Sequence, residues 1–114
     1  MTVLLHAGSF QVTPALQEYA ERELKTALDK FGDHVERVAV RMDDVNGPRG
    51  GLDKRCGVTI SLARHRQVYV EETSDDAYTA LARAIQRAER ATARHLDRKE
   101  GKKGPRKDKR STVA

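Results

Sequence analysis

The sequence predicts an α+β fold in the order β-α-β-β-β-α, a four-stranded sheet with two helices packed on one face. Three observations predict it. Apolar residues recur at three- and four-residue steps in two stretches, near residues 14–31 and 77–98, as on the buried face of a helix. Four short stretches instead alternate apolar with polar residues, the pattern of strands buried on one side only. Turn-forming residues separate these stretches, and a sheet whose strands all keep one polar side is covered most simply by placing both helices on the other side.

The first strand is read over Thr2 to His6, with Val3 and Leu5 on one face before Gly8 and Ser9 break it. Thr13 and Pro14 then form a helix start: a threonine that can cap, followed by proline at the position where its missing N–H costs nothing. Leu16, Ala20, Leu24, Ala27, Leu28 and Phe31 carry this helix to about Phe31, and Gly32 supplies the residue that ends it. Val38, Val40 and Met42 alternate with Ala39, Arg41 and Asp43 in a second strand near Val35 to Asp43. The turn-rich Asn46 to Gly51 stretch joins it to a third strand containing Cys56, Val58, Ile60 and Leu62. His65 and Arg66 mark the next turn, and Val68 and Val70 carry the fourth strand. Thr73 with Asp76 resembles a capping box for the last helix, and Ala77, Leu81, Ala84, Ile85, Ala88 and Thr92 continue it to about Arg98.

A chain of 114 residues, 38 % hydrophobic, supports one modest core, so residues 1–98 are read as a single domain. The net charge of +5 is unevenly placed. Basic and acidic side chains balance over residues 1–98, and the excess lies in Lys99, Lys102, Lys103, Arg106, Lys107, Lys109 and Arg110. Residues 99–114 are nearly free of apolar side chains and are expected to form a disordered basic tail, attracted to phosphate backbones. No apolar run reaches the roughly 20 residues of a membrane span and no secretory leader is visible, so a cytoplasmic protein without membrane partners is expected.

Within the neutral domain the charge is sorted. Arg83, Arg87, Arg90, Arg94 and Arg98 follow one another at steps of four, three, four and four residues, forming a basic stripe beside the apolar face of the last helix. Such a stripe runs for roughly 20 Å, long enough to follow several phosphates. Solubility alone could place arginines on an exposed helix face, but their alignment favours RNA contact. Arg49, Lys54 and Arg55, in and beside the Asn46 to Gly51 loop, form a second candidate RNA contact, although a plain hairpin connection is the slightly favoured reading of that loop.

Other chemistry finds little support. The loop leads into a strand and offers no helix N-terminus to an anion. His6, His34, His65 and His95 lack metal-ligand spacing, and Cys56 sits on an apolar strand face as a small hydrophobe. The pairs Asp43-Asp44, Glu71-Glu72 and Asp75-Asp76 suit strand ends and a helix start, with no nucleophile and base beside them. A binding protein with no enzymatic activity, metal, cofactor or small-molecule substrate is expected. Tyr69 is the sole aromatic on the open sheet face, whereas modules that read RNA on a sheet stack bases on several.

With this order of elements, the segments Phe10-Gln11-Val12-Thr13-Pro14-Ala15-Leu16, Asp76-Ala77-Tyr78-Thr79-Ala80-Leu81 and Gln86-Arg87-Ala88-Glu89-Arg90 resemble the hibernation-promoting factor and ribosome-associated inhibitor A family over about residues 2–96. The resemblance implies a short-form member that enters the channel of the small ribosomal subunit through basic helix surfaces facing ribosomal RNA. There it covers messenger and tRNA positions and silences idle ribosomes. Arg87 and Arg90 match the family's basic pair and Tyr78 matches the tyrosine at the start of that helix. Arg83 and Arg94 join them by helical spacing, with Lys25 and Lys30 of the first helix as further candidates. The chain departs from the family in Ala88, where leucine is usual, in a longer Gly-Pro-Arg-Gly-Gly loop, and in carrying a basic tail where long-form members have a further domain. The competing reading is a regulator that grips a protein partner through its helix pair, without direct RNA contact.

Overall fold

The computed structural model describes residues 2–8, 12–44 and 54–103. Strands β1 (Thr2–Ala7), β2 (Val35–Asp44), β3 (Lys54–Leu62) and β4 (Arg66–Ser74) form one sheet in that spatial order. Helix α1 (Pro14–Leu28) lies between β1 and β2 in the chain, and α2 (Ala77–Lys103) follows β4. β1 pairs parallel to β2, a pairing that needs a long crossover, which α1 supplies; the other two pairings are antiparallel. The two-layer α+β architecture expected from the alternation is therefore present.

One core joins the layers. Val38, Val40 and Met42 of β2, Cys56, Val58, Ile60 and Leu62 of β3, and Val68 and Val70 of β4 face Leu16, Ala20, Leu24 and Leu28 of α1 and Leu81, Ala84, Ile85 and Ala88 of α2. Val3 and Leu5 of β1 pack against it partly buried. Each large apolar side chain removed from water here contributes about 1.5–3 kcal/mol, which sets the register: a one-residue slip would turn every strand inside out.

Four local features depart from the sequence reading. The α-helical part of α1 stops at Leu28, not Phe31; the chain tightens into 3-10 turns over Asp29–His34, where Gly32 takes φ 56°. β2 begins with a bulge between Val35 and Arg37, which puts both Val35 and Val38 on the core face although they are three apart. The cap of α2 is Asp76, whose carboxylate accepts from the Thr79 backbone N–H and the Thr79 hydroxyl, each at 2.9 Å. Thr73 is unavailable as a cap because it pairs with Arg55 in the sheet. Finally, α2 runs beyond Arg98 to Lys103, so the first five residues assigned to the tail continue the helix. Lys99, Glu100, Lys102 and Lys103 are good helix formers, and the breakers Gly104 and Pro105 come only afterwards. The rest of the tail lies outside the described residues.

Candidate nucleic-acid interface

Helix α2 lies over the outer half of the sheet, with β4 as the edge strand beneath it. Its inner face is spent on the core through Ala80, Leu81, Ala84, Ile85, Ala88, Thr92 and Leu96. Helical geometry then leaves Arg83, Arg87, Arg90 and Arg94 exposed along one line roughly 16 Å long. Arg87, Arg90 and Arg94 border a shallow surface depression of about 330 Å³ whose apolar floor is Val70 of β4.

Arg87 is anchored. Its Nη1 donates to the backbone carbonyl of Glu71 and to Oε2 of Glu72, both at 2.9 Å, so β4 fixes the direction of the guanidinium. Arg90 makes a long 3.5 Å hydrogen bond from Nε to the Gln86 carbonyl. Among the described residues neither Arg90 nor Arg94 has a carboxylate partner within ion-pair distance. The depression thus holds one oriented and two uncompensated guanidiniums, a donor arrangement suited to phosphate oxygens. Glu71 and Glu72, read from sequence as strand-end residues, prove to be part of this site. Their link to Arg87 spans fifteen or sixteen residues and has no local signal.

The remaining candidates lie elsewhere. Tyr78 sits on the α1 side of α2, its ring edge-on to Tyr19 with centroids 5.1 Å apart, and Arg22 lies 5.8 Å from the Tyr19 ring centre. Lys25 is exposed on α1 near Val3, Glu21 and Asp29. Lys30 pairs with Glu89 of α2 across the helix interface. Lys54 pairs with Asp44 at 3.2 Å, and Arg55 lies 3.6 Å from both Asp43 and Glu71, so these cations meet carboxylates at one end of the sheet. Arg49 and the Asn46 to Gly51 loop lie outside the described residues.

Other places offer less to an anion. The groove between the helices, about 360 Å³, is lined by Tyr19, Glu23, Ile85, Gln86 and Glu89, and its carboxylates oppose phosphate. Cys56 is fully buried, and desolvation pushes its thiol up to about 12, far from the thiolate needed for nucleophilic chemistry. Among the described residues no three histidine, cysteine or carboxylate side chains come together as a metal site, and no helix is long and apolar enough to cross a membrane.

The family model described as sigma 54 modulation protein / S30EA ribosomal protein matches residues 4–100, nearly the whole described chain. The chain belongs to this family. It is accordingly a ribosome-associated protein of the modulation class, in agreement with the resemblance carried by its helix motifs. The crystal structure of the Thermus thermophilus Protein Y N-terminal domain is similar with a TM-score of 0.69 and 26 % identity, covering 83 % of this chain and 99 % of that one. A ribosomal subunit interface protein from Coxiella burnetii shares the fold, with a TM-score of 0.71 at 17 % identity over 85 % of this chain and 99 % of its own. No curated protein sequence matches.

Proposed function

We propose that this family member is a hibernation-type translation inhibitor, which binds ribosomal RNA of the small subunit through the arginine ridge of α2 and covers messenger and tRNA positions in idle ribosomes. It acts in the cytoplasm of starved or stationary-phase cells, as a binding protein and not as an enzyme. The observation that carries this reading is the convergence of Arg87, Arg90 and Arg94 around one depression beside β4, in a domain whose charges balance as a whole. Ridge and family membership point the same way: the family supplies the ribosome, and the guanidiniums supply the means of holding RNA backbone.

Binding to purified small subunits tests it. Arg90→Glu with Arg94→Glu is expected to weaken association by about 100-fold or more, because two phosphate contacts become repulsions. Lys25→Glu on α1, compared with Arg94→Glu alone, serves as the matched control and is expected to change binding by no more than about threefold, the effect of a peripheral charge. Equal loss from both, or from neither, would remove the ridge as the binding surface. The tail gives a second comparison: ending the chain at Lys103 is expected to weaken binding less than the ridge substitution.

A further inference from the structure

The strand register sorts the open face of the sheet into rows. One row runs Leu4, Ala39, Thr59, Tyr69 across all four strands, flanked on one side by Thr2, Arg37, Ser61, Gln67 and on the other by His6, Arg41, Gly57, Glu71. Leu4 is 43 % and Tyr69 60 % exposed, two of the largest apolar exposures among the described residues.

Tyr69 does not stand free in water. A Cβ built on Gly57 would lie 2.7 Å from the Tyr69 Oη and 3.3 Å from two carbons of its ring, so the distal half of the ring lies over bare glycine backbone. Its hydroxyl donates to Oε2 of Glu71 at 3.0 Å. The ring is thereby held down on its inner side and at its tip, with its outer side open to solvent. A fixed aromatic surface of this kind gives up little conformational freedom when a flat ligand stacks on it. The Arg55 guanidinium, 3.6 Å from the same Glu71 carboxylate, places a cation beside it.

Glu71 also links this surface to the ridge. Its carboxylate faces Tyr69, while its backbone carbonyl accepts from Arg87 at 2.9 Å. β4 is the edge strand, so no further strand separates the open sheet face from the arginine side. Tyr69 and Glu71 are two residues apart on one strand, roughly 7 Å, comparable to one nucleotide of an extended chain.

We propose that Tyr69 is a stacking platform for one unpaired RNA base, supplied by a strand whose phosphates lie on Arg87, Arg90 and Arg94 and which turns over the β4 edge. This rests on the RNA reading of the ridge and narrows its ligand to RNA with an unpaired nucleotide beside the backbone contacts. The platform takes one base: among the described residues Tyr69 has no second aromatic on this face to extend a stack. Arg41 and Arg55 on this face are met by Asp43 and Glu71, so it is the exposed Arg37 and the continuity with the ridge that favour nucleic acid over an apolar protein partner, for which Leu4 and Tyr69 alone provide little area.

The test uses the full chain with fluorescein-labelled single-stranded oligoadenylate and an RNA duplex of the same length, followed by anisotropy. Tyr69→Ala is expected to weaken the single strand about 5- to 100-fold and the duplex by no more than about twofold, since only unpaired bases present a stacking face. Gly57→Ala, which lifts the ring without removing it, is expected to weaken the single strand in the same selective way. The chain has no tryptophan, so Tyr69→Trp supplies a sole indole reporter, expected to be quenched by oligoadenylate and not by duplex even if Tyr69→Ala fails to fold. An unquenched indole, or a Tyr69→Ala protein that binds the single strand normally while Arg90→Glu with Arg94→Glu weakens it, overturns the platform and leaves the ridge standing. Equal weakening of single strand and duplex by Tyr69→Ala also overturns it. Loss of ribosome association by Tyr69→Ala with normal oligoadenylate binding would assign the face to a protein instead. If the ridge substitution changes neither ligand, the RNA reading itself fails.

Discussion

Helices α1 and α2 rest on the same face of the same sheet and share one core, yet they present opposite characters to water. α1 exposes or half-exposes Glu18, Glu21 and Glu23 against Arg22 and Lys25, with Arg22 and Glu23 3.7 Å apart. α2 lines up Arg83, Arg87, Arg90 and Arg94 on its outer side, while Glu89 turns toward α1 and takes Lys30. A domain with balanced charge can therefore still carry a strongly basic surface, provided the acids are gathered elsewhere. Folding constrains the inner faces of both helices alike, through Leu24 on one and Leu81 on the other. The outer faces are free to diverge, and the proposed function places its RNA contacts on that difference.

The largest test of this comparison concerns the part the helices share. Leu24→Ala and Leu81→Ala are each expected to cost about 2–5 kcal/mol in urea unfolding, because both side chains are fully enclosed. A tolerated truncation on either helix would show that they do not depend on one core. Next comes the part they do not share. Arg94→Gln alone is expected to weaken RNA binding by roughly tenfold with little change in unfolding, whereas Lys25→Gln on α1 changes neither measurably.

Smaller effects sharpen the picture of the core beneath both helices. Burial raises the Cys56 thiol from its ordinary 9.0 to about 12, so below pH 9 both folded and unfolded chains hold the proton, and above it only the unfolded chain releases it. Stability is therefore expected to fall as pH rises from 9.0 toward 12, by roughly 1 kcal/mol per unit more in the natural chain than in Cys56→Val, measured by urea unfolding in parallel. Smaller again is a difference between the helices themselves. α1 buries only apolar side chains, whereas α2 buries the Thr92 hydroxyl without a hydrogen-bond partner. Thr92→Val keeps the shape and removes the orphaned donor, and is expected to raise stability by about 1 kcal/mol; a loss of that size would mean that the hydroxyl is satisfied.

Much of this was legible in the residues because it depends on short-range periodicity. Val38, Val40 and Met42 betray a one-sided strand, Thr13-Pro14 a helix start, and the arginine steps a ridge, since each pattern is complete within one element. The failures share the opposite property. The bulge at Val35 adds a single residue that breaks the alternation without any mark of its own. Thr73 loses its capping role to strand pairing with Arg55, eighteen residues earlier. The anchoring of Arg87 by Glu71 and Glu72, and the seat of Tyr69 over Gly57, arise only when β4 lies beneath α2 and beside β3. Family resemblance singles out Tyr78, but it does not reveal that Tyr78 packs against Tyr19.

The central claim is that phosphate contacts on α2, and not α1 or overall charge, hold the RNA. Its most direct measurement is the salt dependence of binding to small subunits for the natural chain, for Arg90→Gln with Arg94→Gln, and for Lys25→Gln with Lys30→Gln. Both doubles remove the same charge. The α2 pair is expected to flatten the plot of log affinity against log salt by about 1.4, near 0.7 for each lost contact, while the pair from α1 and the 3-10 turns after it leaves the slope unchanged. Equal flattening by the two doubles, or none from the α2 pair, would contradict it.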